Sequence, residues 1–434
     1  MLADWEFFYD KIVLPTLHTS FQALSLFDQK IRQGLVDRRS VFESLSNQLS
    51  SARDLEQTLW FHFTSVGEFE QCKPLIEYLH PDYRIVLTYF SPSVSHQANS
   101  YQFADAAIYL PLDSKQNAHR LIDLIQPSVL VFSKFDIWPN LVWQAKKRSV
   151  KTVLIAGTLQ PKSKRLYPLA NKFFRSVHKQ IDLHCVVSEA DANRFRQICP
   201  SSARIVITGD TRFDQVHARA SSVVKNENFL PGQSTLSRPI LVAGSTYAEE
   251  EKVLVTAIKQ IKQTHQSIQP HLLIVPHEPN PKHVQNLTQH LRNRNLTSAK
   301  YTELDDFSDL SQVDVVVIDT VGILAQLYRL ADITFVGGSF QGSVHNVMEP
   351  AVMAKPVIFG PTIDNAQEAH LLVQLGGAKM IQNSQQLYSV MIDWLSAPSI
   401  CKEVGQKANH IIESNLGATQ RTLSCLVPYL ASVL

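Results

Sequence analysis

Short apolar runs alternate along the chain with longer stretches of helical periodicity. In the first half the runs are TLWFHF (58–63), RIVLTYF (84–90), AAIYLPL (106–112), SVLVFSK (128–134), KTVLIAG (151–157), LHCVVSE (183–189) and RIVITGD (204–210). In the second half they are PILVAGS (239–245), HLLIVPH (271–277), VDVVVID (313–319), DITFVGGS (332–339) and KPVIFGP (355–361). They are rich in Val and Ile and mostly apolar at every position, the pattern of strands covered by helices on both faces. Alternation of strand and helix predicts an α/β fold with doubly wound parallel sheets.

Between the two series lies ASSVVKNENFLPGQSTLSRP (220–239), polar and carrying Pro, Gly and Ser. A chain of 434 residues exceeds one ordinary core. The expected organisation is a helical N-terminal segment (1–40), a first Rossmann-like domain (41–222), a linker (223–238) and a second Rossmann-like domain (239–434). The two domains are expected to face each other across a cleft, with the last helix packing back on the first. Ligands in such sheets bind beyond the carboxyl ends of the strands.

Composition narrows the picture: 44% of residues are hydrophobic and 18% charged, with a net charge of +2. That balance argues against a general nucleic-acid binder. Five cysteines without a CxxC pair favour neither a disulfide framework nor a zinc site, and a reducing compartment fits. No run is long and apolar enough to span a bilayer.

Polar residues and glycines gather where the predicted strands end. In VAGSTYAEEEKVL (242–254), Ser245 and Thr246 open a helix. They either cap it, with Glu249, Glu250 and Glu251 in favour with its dipole, or help its N–H groups hold a phosphate. Asp319 and Thr320 end another strand. The paired glycines Gly337 and Gly338, before Ser339, admit either a tight turn or a close ligand. In SVHNVMEP (343–350), Asn346 and Glu349 share a face if a helix starts there, and a carboxylate can accept from two sugar hydroxyls. In FTSVGEFEQ (63–71), Ser65, Gly67 and Glu68 sit at a strand-to-helix turn. Glu68 is either a dipole-favoured carboxylate or a general base. Lys134 and Asp136 end a strand before Trp138 and Asn140, and Lys162 and Arg165 add basic charge further on.

Taken in order, SVGEFE (65–70), IWPN (137–140), GDTRFD (209–214), AGSTYAEEE (243–251), IDTVGIL (318–324), FVGGSF (335–340), HNVMEPA (345–351) and PVIFGP (356–361) resemble the 3-deoxy-D-manno-octulosonic acid (Kdo) transferases of Gram-negative bacteria. Those are inverting glycosyltransferases of the GT-B fold. The resemblance implies transfer of Kdo from CMP-Kdo to a phosphorylated lipid A precursor, lipid IVA. It makes Glu68 the general base. It implies donor contacts from Ser245, Thr246, His277, Asp319, Thr320, Gly337, Gly338, Ser339, His345, Asn346 and the ribose-holding Glu349. Ser65, Gly67, Lys134, Asp136, Trp138, Asn140, Lys162 and Arg165 become acceptor contacts. No metal and no cofactor are expected, and no nucleic-acid partner. The expected location is peripheral, on the cytoplasmic face of the inner membrane.

Three motifs depart from the family pattern. KFDIWPN has Lys134 where an acid is common, PHEP (276–279) has His277 in place of an arginine, and SVHN (343–346) lacks a glycine pair. Residues 1–39 form an interrupted apolar stretch, either seated on lipid through Trp5, Phe7, Phe8 and Phe21, with nearby bases on lipid phosphates, or packed on the first domain. Two other readings share the fold: a UDP-sugar transferase or non-hydrolysing epimerase, and a binding protein with a degenerate site.

Overall fold

The structure, a computed structural model, describes residues 2–222 and 229–430. Residues 223–228 of the expected linker, residue 1 and residues 431–434 lie outside the described residues. The chain divides into two compact units, Met1–Gln215 together with Leu416–Leu434, and Val216–Asn415.

The first unit is built on a parallel sheet of β1 (Thr58–Phe63), β2 (Arg84–Tyr89), β3 (Ala106–Tyr109), β4 (Val129–Ser133), β5 (Lys151–Gly157), β6 (Leu183–Val186) and β7 (Ile205–Ile207), in the order β3-β2-β1-β4-β5-β6-β7. Every residue of β1 and β4 is buried. That explains why these strands read as unbroken apolar runs rather than as alternating ones. The order reverses between β1 and β4, which pair directly, Leu59 opposite Val129 and His62 opposite Phe132. This is the topological switch point, where loops diverge and leave a crevice.

The second unit repeats the plan. Its strands are β8 (Ile240–Thr246), β9 (His271–Pro276), β10 (Ser298–Lys300), β11 (Val315–Val317), β12 (Ile333–Val336), β13 (Val357–Phe359) and β14 (Ala378–Met380), ordered β10-β11-β9-β8-β12-β13-β14. Here the reversal falls between β8 and β12. The edge strands β10 and β14 were marked by no apolar run. They are three residues each, SAK and AKM, and their side chains are largely half-buried or exposed.

The N-terminal segment folds as helices Leu2–Phe8 and Leu14–Leu24 joined by a π turn, then Gln29–Asp37. It is packed on one side and apolar on the other. Tyr9 is buried, stacks on Phe173 with ring centroids 5.8 Å apart, and donates to Asp113 at 3.0 Å. Phe7, Ile12, Leu17, Leu24, Leu26 and Phe27 are exposed. No helix among the described residues is long and apolar enough to cross a membrane.

Candidate active site

In the first unit the loops after β1 and β4 meet because those strands are neighbours. Ser65 caps helix Val66–Leu79, and Glu68 closes a capping box with it. One oxygen of Glu68, Oε2, accepts from the backbone N–H of Thr64 and of Ser65, both at 2.8 Å. Glu68 is buried. Burial and the neighbouring Asp136 carboxylate raise its pKa above the usual range, against the two N–H groups and Lys134. A carboxylate held there is a stronger proton acceptor than an exposed one.

Asp136 goes the other way. Burial alone would raise its pKa, but His62, Thr64 and Trp138 bond to it and hold it low. His62 Nε2 lies 3.0 Å from Asp136 Oδ2, Trp138 Nε1 donates at 3.3 Å, and the Thr64 hydroxyl donates to the same oxygen. Two carboxylates are thus driven apart in acidity by their surroundings, the arrangement that separates a base from a permanent anion. Lys134 has a left-handed backbone, φ 63°, which places its side chain at the end of β4 with the ammonium 5.4 Å from the Phe135 ring. A Cβ on Gly67 would meet nothing within 4 Å, so Gly67 faces open space beside Glu68.

Not every expected residue joins this group. Asn140 is buried, and its Nδ2 donates to Asp10 at 2.8 Å and to the Asp113 carbonyl at 2.6 Å, fastening the N-terminal segment. Arg165 donates to the Phe135 carbonyl at 2.8 Å and lies over the rings of Phe135 and Phe174. Lys162 is exposed on the loop after β5. His62 and Thr64 carried no sequence signal, since both look like ordinary residues at the end of a strand.

In the second unit the loops after β8 and β12 meet in the same way. Ser245 is left-handed, φ 55°, and Gly337 donates its N–H to the Gly244 carbonyl at 2.9 Å. A Cβ on Gly337 would come within 2.2 Å of the Ser245 carbonyl, and Gly338 has φ 95°, so both positions require glycine. Glu250 joins the two loops. It is buried and accepts from Tyr247 N at 3.0 Å and Phe340 N at 3.2 Å. Burial raises its pKa. The sequence had offered it only as a dipole-favoured residue.

His277 and His345 stack with ring centroids 4.4 Å apart, and Tyr247 packs against both at 5.1 and 5.8 Å. Burial, aided by His277, lowers the pKa of His345 to about 4, so its ring is neutral at ordinary pH. Asn346 is exposed; it donates to Glu349 at 3.0 Å and accepts from Met348 N at 3.1 Å. Thr246 and Ser339 are buried: the Thr246 hydroxyl donates to Glu251 at 3.0 Å, and the Ser339 hydroxyl accepts from Gly360 N at 2.6 Å. Those two hydroxyls therefore hold the turns. Asp319, which accepts from Thr302 N at 3.0 Å and its hydroxyl at 2.6 Å, lines a pocket of about 450 Å³ with Lys300 and Arg292. Thr320 is half-buried beside it.

Among the described residues, one group has metal-ligand spacing: His178, His184 and Cys199, all buried in the first unit. None of the residues gathered around Glu68 belongs to it.

Residues 36–215 match the family model described as 3-deoxy-D-manno-octulosonic-acid transferase (kdotransferase). The chain is 26% identical to the 3-deoxy-D-manno-octulosonic acid transferase of Haemophilus influenzae, over 98% of the chain and 99% of that relative. It is 26% identical to the enzyme of the same name from Aquifex aeolicus, over 83% and 92%. Among solved structures, UDP-GlcNAc 2-epimerase from Neisseria meningitidis superposes with a TM-score of 0.58 at 15% identity, covering 86% of this chain and all of that one. MurG from Acinetobacter baumannii gives 0.52 at 13% identity, over 86% and 99%. These likenesses show the GT-B fold.

Proposed function

We propose that the chain is a glycosyltransferase of the Kdo transferase family, moving Kdo from CMP-Kdo to a phosphorylated lipid A precursor with inversion. Glu68 takes the proton from the acceptor hydroxyl. The observation that carries this reading is the pair of carboxylates at the β1/β4 switch point, Glu68 with raised proton affinity and Asp136 held ionised, next to open space at Gly67. Asp136 orients the acceptor, and Lys134 meets an acceptor phosphate. In the second unit, the N-terminus of helix Ala248–Thr264 and the Gly337–Gly338 turn receive the donor phosphate. Glu349 accepts from the ribose hydroxyls. The helix N-terminus and bases stabilise the leaving phosphate, so transfer is proposed to need no metal or cofactor. The protein is proposed to work peripherally at the cytoplasmic face of the inner membrane.

Calorimetry with CMP and UDP side by side tests the donor. CMP is expected to bind at least tenfold tighter, and Glu349→Ala to weaken it by about 1–3 kcal/mol, the range for lost charged hydrogen bonds. A preference for UDP would instead favour a UDP-sugar enzyme of the same fold. Unchanged CMP affinity in the variant would remove Glu349 from the site.

A further inference from the structure

An apolar pocket of about 390 Å³ opens in the first unit between the N-terminal helices and the loops after β2 and β3, walled by Phe21, Ile31, Leu35, Phe90, Pro92 and Leu112. Among the described residues, its one charged lining residue is already spent. Arg38 donates to the carbonyls of Leu110 at 2.8 Å, Gly34 at 2.6 Å and Phe90 at 2.5 Å, and lies over the Phe90 ring at 4.4 Å. Among the described residues the pocket therefore offers an occupant apolar contact and no free ion.

Two connections join it to the Glu68 group. Ser91, on the pocket wall, donates its N–H to the Thr64 carbonyl at 2.9 Å, and Thr64 N–H donates to Glu68 at 2.8 Å. Phe90 packs on Trp138 with centroids 4.9 Å apart, and Trp138 bonds to Asp136. The pocket and the proposed base thus share the carboxyl ends of β1 and β2. The helices that wall the pocket also turn bare apolar side chains outward at their connection, with Phe27 89% and Leu26 69% exposed. An occupant entering there comes past a surface suited to lipid rather than to water.

We propose that this pocket is a subsite for one alkyl chain of an amphiphilic acceptor, holding the chain while the polar head presents its hydroxyl to Glu68. The inference rests on the acceptor reading above, and the subsite sets specificity by chain. A buried methylene contributes about 0.8 kcal/mol, so each carbon removed from the seated chain weakens binding about fourfold.

Two measurements separate this proposal from the reading it rests on. The first uses 11-(dansylamino)undecanoic acid as an alkyl probe with the full chain. Saturable one-to-one binding is expected, weakened tenfold or more by Leu35→Trp, which fills the pocket, and unaffected by Phe307→Ser at an exposed apolar position elsewhere. Equal probe affinity in the wild type and Leu35→Trp overturns the subsite whatever the enzyme transfers. The second compares transfer to an acylated phosphorylated glucosamine disaccharide and to the same disaccharide stripped of its chains. Leu35→Trp should raise KM for the acylated acceptor tenfold or more and leave kcat/KM for the stripped one unchanged. If wild type uses both acceptors equally well, or the variant loses both in parallel, the subsite is wrong. If wild type transfers to neither while the probe still binds in the pocket, the acceptor reading fails, and with it the assignment of the chain to an acceptor.

Discussion

Glu68 has two roles that pull in opposite directions. It caps its helix, and it is a buried carboxylate whose ionised form the surroundings disfavour. A group whose folded pKa is raised contributes stability that is present below its unfolded pKa, near 4.3, and lost as pH rises through the folded value. At neutral pH ionised Glu68 therefore costs stability. Glu68→Gln should melt at a higher temperature than wild type at pH 8, with the gap closing towards pH 4, by calorimetry. The same variant should lose about 10²–10⁴-fold in transfer, the usual scale of general base catalysis, with donor affinity unchanged. Gly337→Ala makes the complementary case in the second unit. Its new methyl meets the Ser245 carbonyl, so the variant should lose on the order of 1–3 kcal/mol of stability and bind CMP more weakly. At this scale the sequence displayed the residues but not their occupations. Glu68, Asp136 and the glycine pair stood in recognisable motifs. That Thr246 and Ser339 spend their hydroxyls on Glu251 and Gly360, or that His62 bonds to Asp136, depends on partners far apart in the chain.

Among the elements, buried strands were legible because burial on both faces demands apolar residues throughout. Edge strands β10 and β14 face no such demand, so their half-polar triplets gave no signal. The N-terminal helices left two readings open because an apolar face suits either a protein or a lipid neighbour, and the structure shows the segment using one side for packing. Asp113 controls that docking. It accepts from the Tyr9 hydroxyl at 3.0 Å and from Asn140 N and Leu141 N at 3.0 and 3.1 Å, and burial pushes its pKa up to about 8. By the same sign rule its contribution is fully present below the unfolded pKa, near 3.9, and is lost progressively as pH rises to the folded value of about 8. Tryptic cleavage after exposed Lys11 should accelerate as pH rises from 6 to 8 and level off above it, beyond the protease's own pH response measured on a peptide of the same sequence. Asp113→Asn, which cannot ionise, should flatten that rise.

For the whole molecule, one plan serves twice: in each unit most candidate residues follow the two strands at the reversal of sheet order, while His277, Asp319 and Thr320 follow β9 and β11, and Lys162 and Arg165 follow β5. Strand order cannot be read from apolar periodicity, which says where strands are and not which ones pair. The sequence also offered Lys146, Lys147, Arg148, Lys162, Lys164 and Arg165, beside the aromatic N-terminal segment, as contacts to anionic lipid. In the fold, Lys147 pairs with Glu6 at 2.7 Å and Arg148 with Asp123 at 2.9 Å, Lys162 and Lys164 are exposed, and the N-terminal helices add exposed apolar residues as a candidate contact. Flotation with anionic vesicles should be lost on deletion of residues 1–39, and should fall by less than half between 0.05 and 0.5 M salt, where exposed charges at a distance are screened.

The first unit is finished by a segment from the far end of the sequence. Asp214 accepts from Gly417 N and Thr419 N, both at 2.6 Å, Arg421 donates to the Thr208 carbonyl at 2.9 Å, and Leu423 and Leu426 are buried in that unit's core. Domains usually fold in the order they leave the ribosome. Here the stretch translated first lacks Leu423 and Leu426 from its core until they too have left the ribosome, after all of Val216–Asn415. The half made first is therefore completed last, with part of its apolar core uncovered in the meantime.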